Sequence, residues 1–194
     1  VRFQRINHIF ISHLHGDHFF GLVGLLSSLH LLGRQKKLVI YSPKGLQEIV
    51  DIQLNYTGTI LNYELEWVEL DCEKPKMIYE DSQVEVQTII LRHRIPCCGF
   101  LFREKERPLS LIKEKLQEYN IPVIMFHQLK RGENITLPDG RKIANKEVTR
   151  ERTKPRSYAY CSDTRFDMRV ADAVKEVDLL YHEATFLHEL VDRA

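Results

Sequence analysis

An α/β fold, with helices laid over a sheet, is the class that this sequence predicts, and three observations carry it. Apolar runs of strand length alternate with segments whose apolar residues recur at helical spacing. Between them stand turns built from Gly, Pro, Ser and Asp. Four apolar runs end in ionisable side chains, at His13, His93, Asp163 and His182, as expected where one rim of a sheet carries a site.

Residues 6–12 (INHIFIS) predict a short buried strand that delivers a histidine-rich turn. Over residues 19–32, Leu22, Leu25, Leu26, Leu29 and Leu32 share one helical face. Gly21, Gly24, Ser27, Ser28 and His30 interrupt that stretch, which falls short of the roughly 20 apolar residues a bilayer demands, so no membrane span is expected. Residues 38–41 predict a second strand, and Ser42-Pro43-Lys44-Gly45 a turn into a helix over 46–54. Residues 63–68 and 82–91 alternate with the period of half-buried strands, the second after an Asp81-Ser82 turn and continued over 99–102 beyond a bend. A helix is expected over 108–119, turns at 130–133 and 137–141, the latter inside a small hairpin, and a strand over 157–161. A helix over 169–177 and a buried strand over 177–182 follow, the strand ending at His182-Glu183-Ala184-Thr185.

The composition is 43% hydrophobic and 28% charged, which excludes disordered and fibrous classes, and the net charge of +1 gives no global attraction to nucleic acid. Locally, residues 141–156 hold seven basic side chains against two acidic ones, either a phosphate-contacting patch or a solvated surface segment. The four cysteines form no regular framework, and Cys97 and Cys98 are too close for an ordinary bridge to each other. Isolated thiols and the absence of a secretory pattern in the first residues make the cytoplasm the expected location.

His13-Leu14-His15-Gly16-Asp17-His18 concentrates three histidines and an aspartate in six residues at the end of an apolar strand. In an extended chain His13 and His15 project the same way, and Gly16 is expected to let the backbone fold tightly enough for Asp17 and His18 to return. Nitrogen with carboxylate oxygen suits zinc, with manganese or iron as substitutes. Four side chains cannot complete two coordination spheres, so His93 is the best further ligand and Asp163, at another strand end, the candidate to bridge two cations. His182 and Glu183 are expected to brace the loops around the metals through hydrogen bonds. His8, His30, His127 and His188 have no comparable context. Metal-activated water, oriented or deprotonated by Asp17, suits a phosphodiester, a lactone, a thioester or a β-lactam.

The ordered set of ISHLHGDHFFGL at 11–22, His93 with Gly99-Phe100, Leu129-Lys130-Arg131-Gly132, Leu137-Pro138-Asp139-Gly140-Arg141, Ser162-Asp163-Thr164-Arg165 and His182-Glu183-Ala184-Thr185-Phe186 resembles ribonuclease Z, the tRNA 3′-end processing endoribonuclease family of the metallo-β-lactamase superfamily. That resemblance implies an αβ/βα sandwich, of which this chain would supply the first layer pair and part of the second. It implies two zinc ions per complete subunit, or another divalent metal such as manganese, one held by His13, His15 and His93, the other by Asp17 and His18, with Asp163 bridging. It implies cleavage of precursor tRNA to remove the 3′ trailer, homodimers, and a protruding tRNA-binding arm drawn from about 103–141, in which Lys130 and Arg131 meet the nucleic acid. The arm departs from the family at residues 121–128, which lack a Gly-Pro-rich tip. Members also extend at both ends, with a His-Ser-Thr motif and a last histidine ligand after the part matched here. Residues 1–194 are therefore expected to be a partial domain that is not fully active alone. A lactone or thioester hydrolase of the same fold, or an inactive metal-stabilised RNA-binding protein, is the alternative.

Overall fold

The computed structural model describes residues 2–186 and 189. In chain order the elements are β1 (His8–Phe10), α1 (Gly16–Phe19), α2 (Gly21–Leu31), β2 (Leu38–Ser42), α3 (Leu46–Tyr56), β3 (Leu65–Glu69), β4 (Met77–Glu80), β5 (Val84–Ile90) and β6 (Cys98–Glu104). After them come β7 (Ser110–Leu111), α4 (Lys113–Glu118), α5 (Phe126–Lys130), β8 (Ile135–Thr136), β9 (Lys142–Ile143), α6 (Asn145–Val148) and β10 (Thr149–Arg150), then β11 (Ser157–Cys161), α7 (Met168–Ala173) and β12 (Leu179–His182). They form two compact units. One comprises the chain up to Glu80, Glu85–Phe102 and the chain from Ser157 onward; the other comprises Asp81–Val84 and Arg103–Arg156.

The first unit is built from two sheets, β1-β2-β3, all parallel, and β12-β11-β6-β5-β4. Successive side chains of a strand point to opposite faces, and this alternation generates the layers. In β2, Leu38 and Ile40 pack with Leu22, Leu26 and Leu29 of α2 and Leu46, Val50 and Leu54 of α3. Val39 and Tyr41, one residue out of phase, pack instead with Val86, Cys98 and Phe100 of the second sheet. That sheet alternates likewise: Ile89, Leu101, Ala159 and Cys161 face Val170 of α7. The order of layers is helix, sheet, sheet, helix, the αβ/βα sandwich. Leu26, Leu29, Leu38, Ile40, Leu46 and Val50 are wholly buried, each contributing roughly 1.5–3 kcal/mol.

Three expectations differ from the structure. The helix expected over 108–119 begins only at Lys113, because Ser110 and Leu111 pair with Arg150 and Thr149 in a two-stranded ribbon. The strand ending at His182 is present but not buried. Among the described residues β12 stands at the sheet edge with β11 as its one neighbour, and Leu179, Leu180 and Tyr181 are exposed. The helix α7 is also shorter than expected, ending at Ala173.

The second unit has its own core of Leu116, Ile121, Leu129, Ile135, Leu137, Ile143 and Val148. Buried Asn145 ties its turns together: Nδ2 donates to the carbonyls of Leu129 (2.6 Å) and Glu133 (3.2 Å), and Oδ1 accepts from the Thr149 hydroxyl (2.9 Å). The expected hairpin is formed by β8 and β9 around residues 137–141.

Candidate metal centre

Beyond β1 the chain stays extended and pinned on both sides. The Ile11 amide donates to Tyr41 of one sheet (2.8 Å), and Ser12 accepts from the Cys98 amide of the other (2.9 Å). His13 is thereby delivered between the sheets with no solvent exposure. The turn into α1 follows at Gly16, whose backbone is not in the left-handed region. A Cβ there would lie 2.2 Å from the ring of Phe20, an exposed side chain that can swing aside.

Four side chains from three strand ends converge. His15 Nδ1 lies 3.1 Å from His13 Nε2 and 3.1 Å from His93 Nε2. Asp163 Oδ2 lies 3.5 Å from His13 Nε2 and 3.9 Å from His93 Nε2. All four donor atoms fall within 4.8 Å of one another. The edge of a tetrahedron of zinc ligands is about 3.4 Å for bonds near 2.0–2.1 Å, so three nitrogens and one oxygen at these separations fit a divalent cation. Asp163 Oδ1 faces the other way, 3.5 Å from His18 Nε2, which is itself 3.3 Å from Asp17 Oδ2. One carboxylate thus addresses two groups of donors.

The electrostatics favour the neutral imidazoles that metals require. Burial, and then the neighbouring His18, lowers the His13 pKa to about 4, and burial lowers that of His93. The outward Nδ1 of His13 meets the Ser12 hydroxyl at 3.0 Å. Ser12 donates to Ser162 Oγ (3.2 Å), which meets His18 Nδ1 at 3.4 Å. This hydroxyl chain links the two histidines behind the donors and orients both rings. Sequence reasoning missed Ser12 and Ser162; their only signal was to precede His13 and Asp163 directly. It also missed Arg94, whose Nε donates to His15 Nε2 at 3.1 Å, and buried Cys97, whose sulfur lies 3.6 Å from His13 Nδ1.

Glu183 reaches the loop beside Asp163: its carboxylate accepts from the Thr164 amide and from the Thr185 hydroxyl (2.6 Å). Thr164 Oγ1 in turn accepts from the Arg92 amide at 3.0 Å, joining the ends of β5 and β11. His182 is exposed, with Nδ1 at 2.7 Å from the Glu183 carbonyl, and lines a cleft of about 480 Å³ shared with His93, Asp163 and Glu183. Lys130 and Arg131 belong to the second unit, where they line a cleft of about 440 Å³ with Arg107, His127 and Arg152. Three chain segments, at 106–108, 127–131 and Arg152, meet there, with Glu106 among the lining residues. His8 lies against Tyr41 and Tyr79, His30 accepts from the Asn62 amide, and His188 lies outside the described residues. No helix among the described residues is long and apolar enough to cross a membrane.

Along its whole length the chain is 48% identical to "Ribonuclease Z" of Bacteroides fragilis strain YCH46, and it spans 64% of that relative. Among solved structures, human tRNase Z, short form, matches 100% of this chain at a TM-score of 0.62 and 25% identity, with 64% of its own chain covered. The metallo-beta-lactamase fold protein YhfI of Bacillus subtilis matches 99% of this chain at a TM-score of 0.53 and 13% identity, with 56% of its own chain covered, a likeness of fold alone. The family model "Beta-lactamase superfamily domain" matches residues 1–112. That span carries the HxHxDH turn, its following helix and His93, the same residues that the geometry gathers at the rim of the two sheets, and the chain belongs to the beta-lactamase superfamily.

Proposed function

We propose that this chain is the larger part of a zinc-dependent endoribonuclease that removes 3′ trailers from precursor tRNA. The observation that carries the reading is the divided carboxylate: Asp163 turns one oxygen to His13 and His93 and the other to His18. Similarity to ribonuclease Z over the whole chain supports the choice of substrate. In this reading His13, His15, His93 and Asp163 would hold one ion and Asp17, His18 and Asp163 a second. Two such ions, when bound, supply Lewis acidity toward a phosphodiester and an acidified water.

The remaining work falls to the chain itself. Asp17, in the first turn of α1 and largely exposed, orients the attacking water and takes its proton. Glu183 holds the Thr164 backbone and thereby the aim of Asp163; His182 stands beside it on the open cleft. The second unit, containing the expected arm segment 103–141, supplies phosphate contacts through Lys130 and Arg131. Homodimers acting in the cytoplasm complete the proposal.

The test pairs elemental analysis with cleavage of a 3′-extended precursor tRNA by the full-length protein. Two zinc equivalents, one cut leaving a 3′-hydroxyl on the tRNA, and loss of cutting with a chelator are expected. Bound metal with intact tRNA and hydrolysis of a lactone or thioester would establish the small-molecule alternative; bound metal, RNA binding and no hydrolysis would establish an inactive binding protein.

A further inference from the structure

Two thiols lie together outside the candidate metal centre. Cys98, the first residue of β6, is fully buried between the sheets, while Cys72, in the loop after β3, is half-buried and lines an open cleft of about 970 Å³. Both are free, and the Cys98 thiol donates to the Cys72 sulfur at 2.7 Å. A disulfide bond is about 2.05 Å long, so little movement separates this pair from covalent contact. We propose that Cys72 and Cys98 form a peroxide-sensitive dithiol that closes reversibly into a disulfide, tying the loop after β3 to the start of β6.

The asymmetry of the pair assigns the order of events. The hydrogen bond from Cys98 lowers the Cys72 pKa, and the same bond with burial raises that of Cys98. Cys72 is also the sulfur that small solutes reach through the cleft. Its thiolate attacks hydrogen peroxide, the O–O bond breaks, and a sulfenic acid forms while the released hydroxide takes a proton to become water. The Cys98 sulfur then attacks the Cys72 sulfur, the S–O bond breaks, and the departing hydroxide leaves as water with the Cys98 proton. Two thiols and one peroxide become one disulfide and two waters. A dithiol such as dithiothreitol reverses the bond by exchange. Neither residue serves the chemistry proposed above, and the inference stands whether or not that chemistry is correct.

The experiment is peroxide treatment of the full-length protein followed by peptide mapping without reduction. The expected result is a peptide pair joined through Cys72 and Cys98, two hydrogens lighter than the reduced pair and separated by dithiothreitol. Cys72→Ser should form no intramolecular link. Amide exchange in residues 71–76 should slow in the oxidised protein and recover on reduction. A Cys72 sulfinic acid without the link, a link through Cys97 or Cys161, or four unmodified thiols at peroxide levels that oxidise a surface thiol would each overturn the proposal.

Discussion

At Asp163 a single carboxylate faces both groups of donors, and its negative charge would offset the repulsion of two cations held close together. Asp163→Asn keeps the size and removes the charge, so a packing defect cannot explain its effect. The full-length variant should stay folded, lose at least one metal equivalent by elemental analysis, and fall more than about 100-fold in kcat/KM on precursor tRNA, a loss above about 2.7 kcal/mol. Two retained metals with near-normal cleavage would reduce Asp163 to a turn residue. His13 makes a different prediction, for protein stripped of metal. Its folded pKa is lowered to about 4 from 6.5 by burial, so between those values the unfolded chain binds the proton that the folded chain refuses. Stability should therefore be retained above about pH 6.5 and decline as the pH falls toward about 4. Urea midpoints measured across that window would check it, and His13→Asn should decline less steeply than the parent.

Within elements, two glycines make opposite predictions from the same argument about space. A Cβ on Gly99 would lie 2.6 Å from the Tyr160 carbonyl oxygen, a backbone atom that cannot step aside without moving β11. Gly99→Ala should destabilise by about 1–3 kcal/mol. It should also weaken metal retention, since Asp163 follows β11 by two residues. Gly24, inside α2, has nothing within 4 Å of its would-be Cβ, and Gly24→Ala should stabilise by about 0.5–1 kcal/mol through helix propensity and chain entropy. Denaturant unfolding of the two variants checks both signs, and equal shifts in one direction would refute the packing reading of Gly99.

For the whole molecule, the division into two units, each with a separate core, suggests a division of labour between chemistry and affinity. Arg131 is paired with Glu133 (2.8 Å) and Arg152 with Glu106 (2.6 Å), both on the exposed surface where such pairs exchange readily for phosphate. Neutralising Lys130 and Arg131 in the full-length protein should raise KM for precursor tRNA and flatten the dependence of binding on salt. It should leave kcat nearly unchanged and leave cleavage of a small phosphodiester intact. Equal losses on both substrates would remove these residues from an affinity role.

Local sequence was sufficient for whatever depends on neighbours along the chain. The HxHxDH turn is legible because its donors lie within one bend, and the apolar run of β2 and the helical spacing of α2 are legible because each is complete within a few residues. The small hairpin around residues 137–141 was readable for the same reason. Sequence also raised His93 and Asp163 as strand-end candidates, yet only the pairing of strands remote in sequence brings them within 3.9 Å of one another and gives each oxygen of Asp163 its own partners. The hydroxyl chain from Ser12 to Ser162 and the meeting of Cys72 with Cys98 were not readable in advance. Each depends on which atoms oppose one another across the fold, and that is decided by sheet order and packing rather than by the properties of the residues themselves.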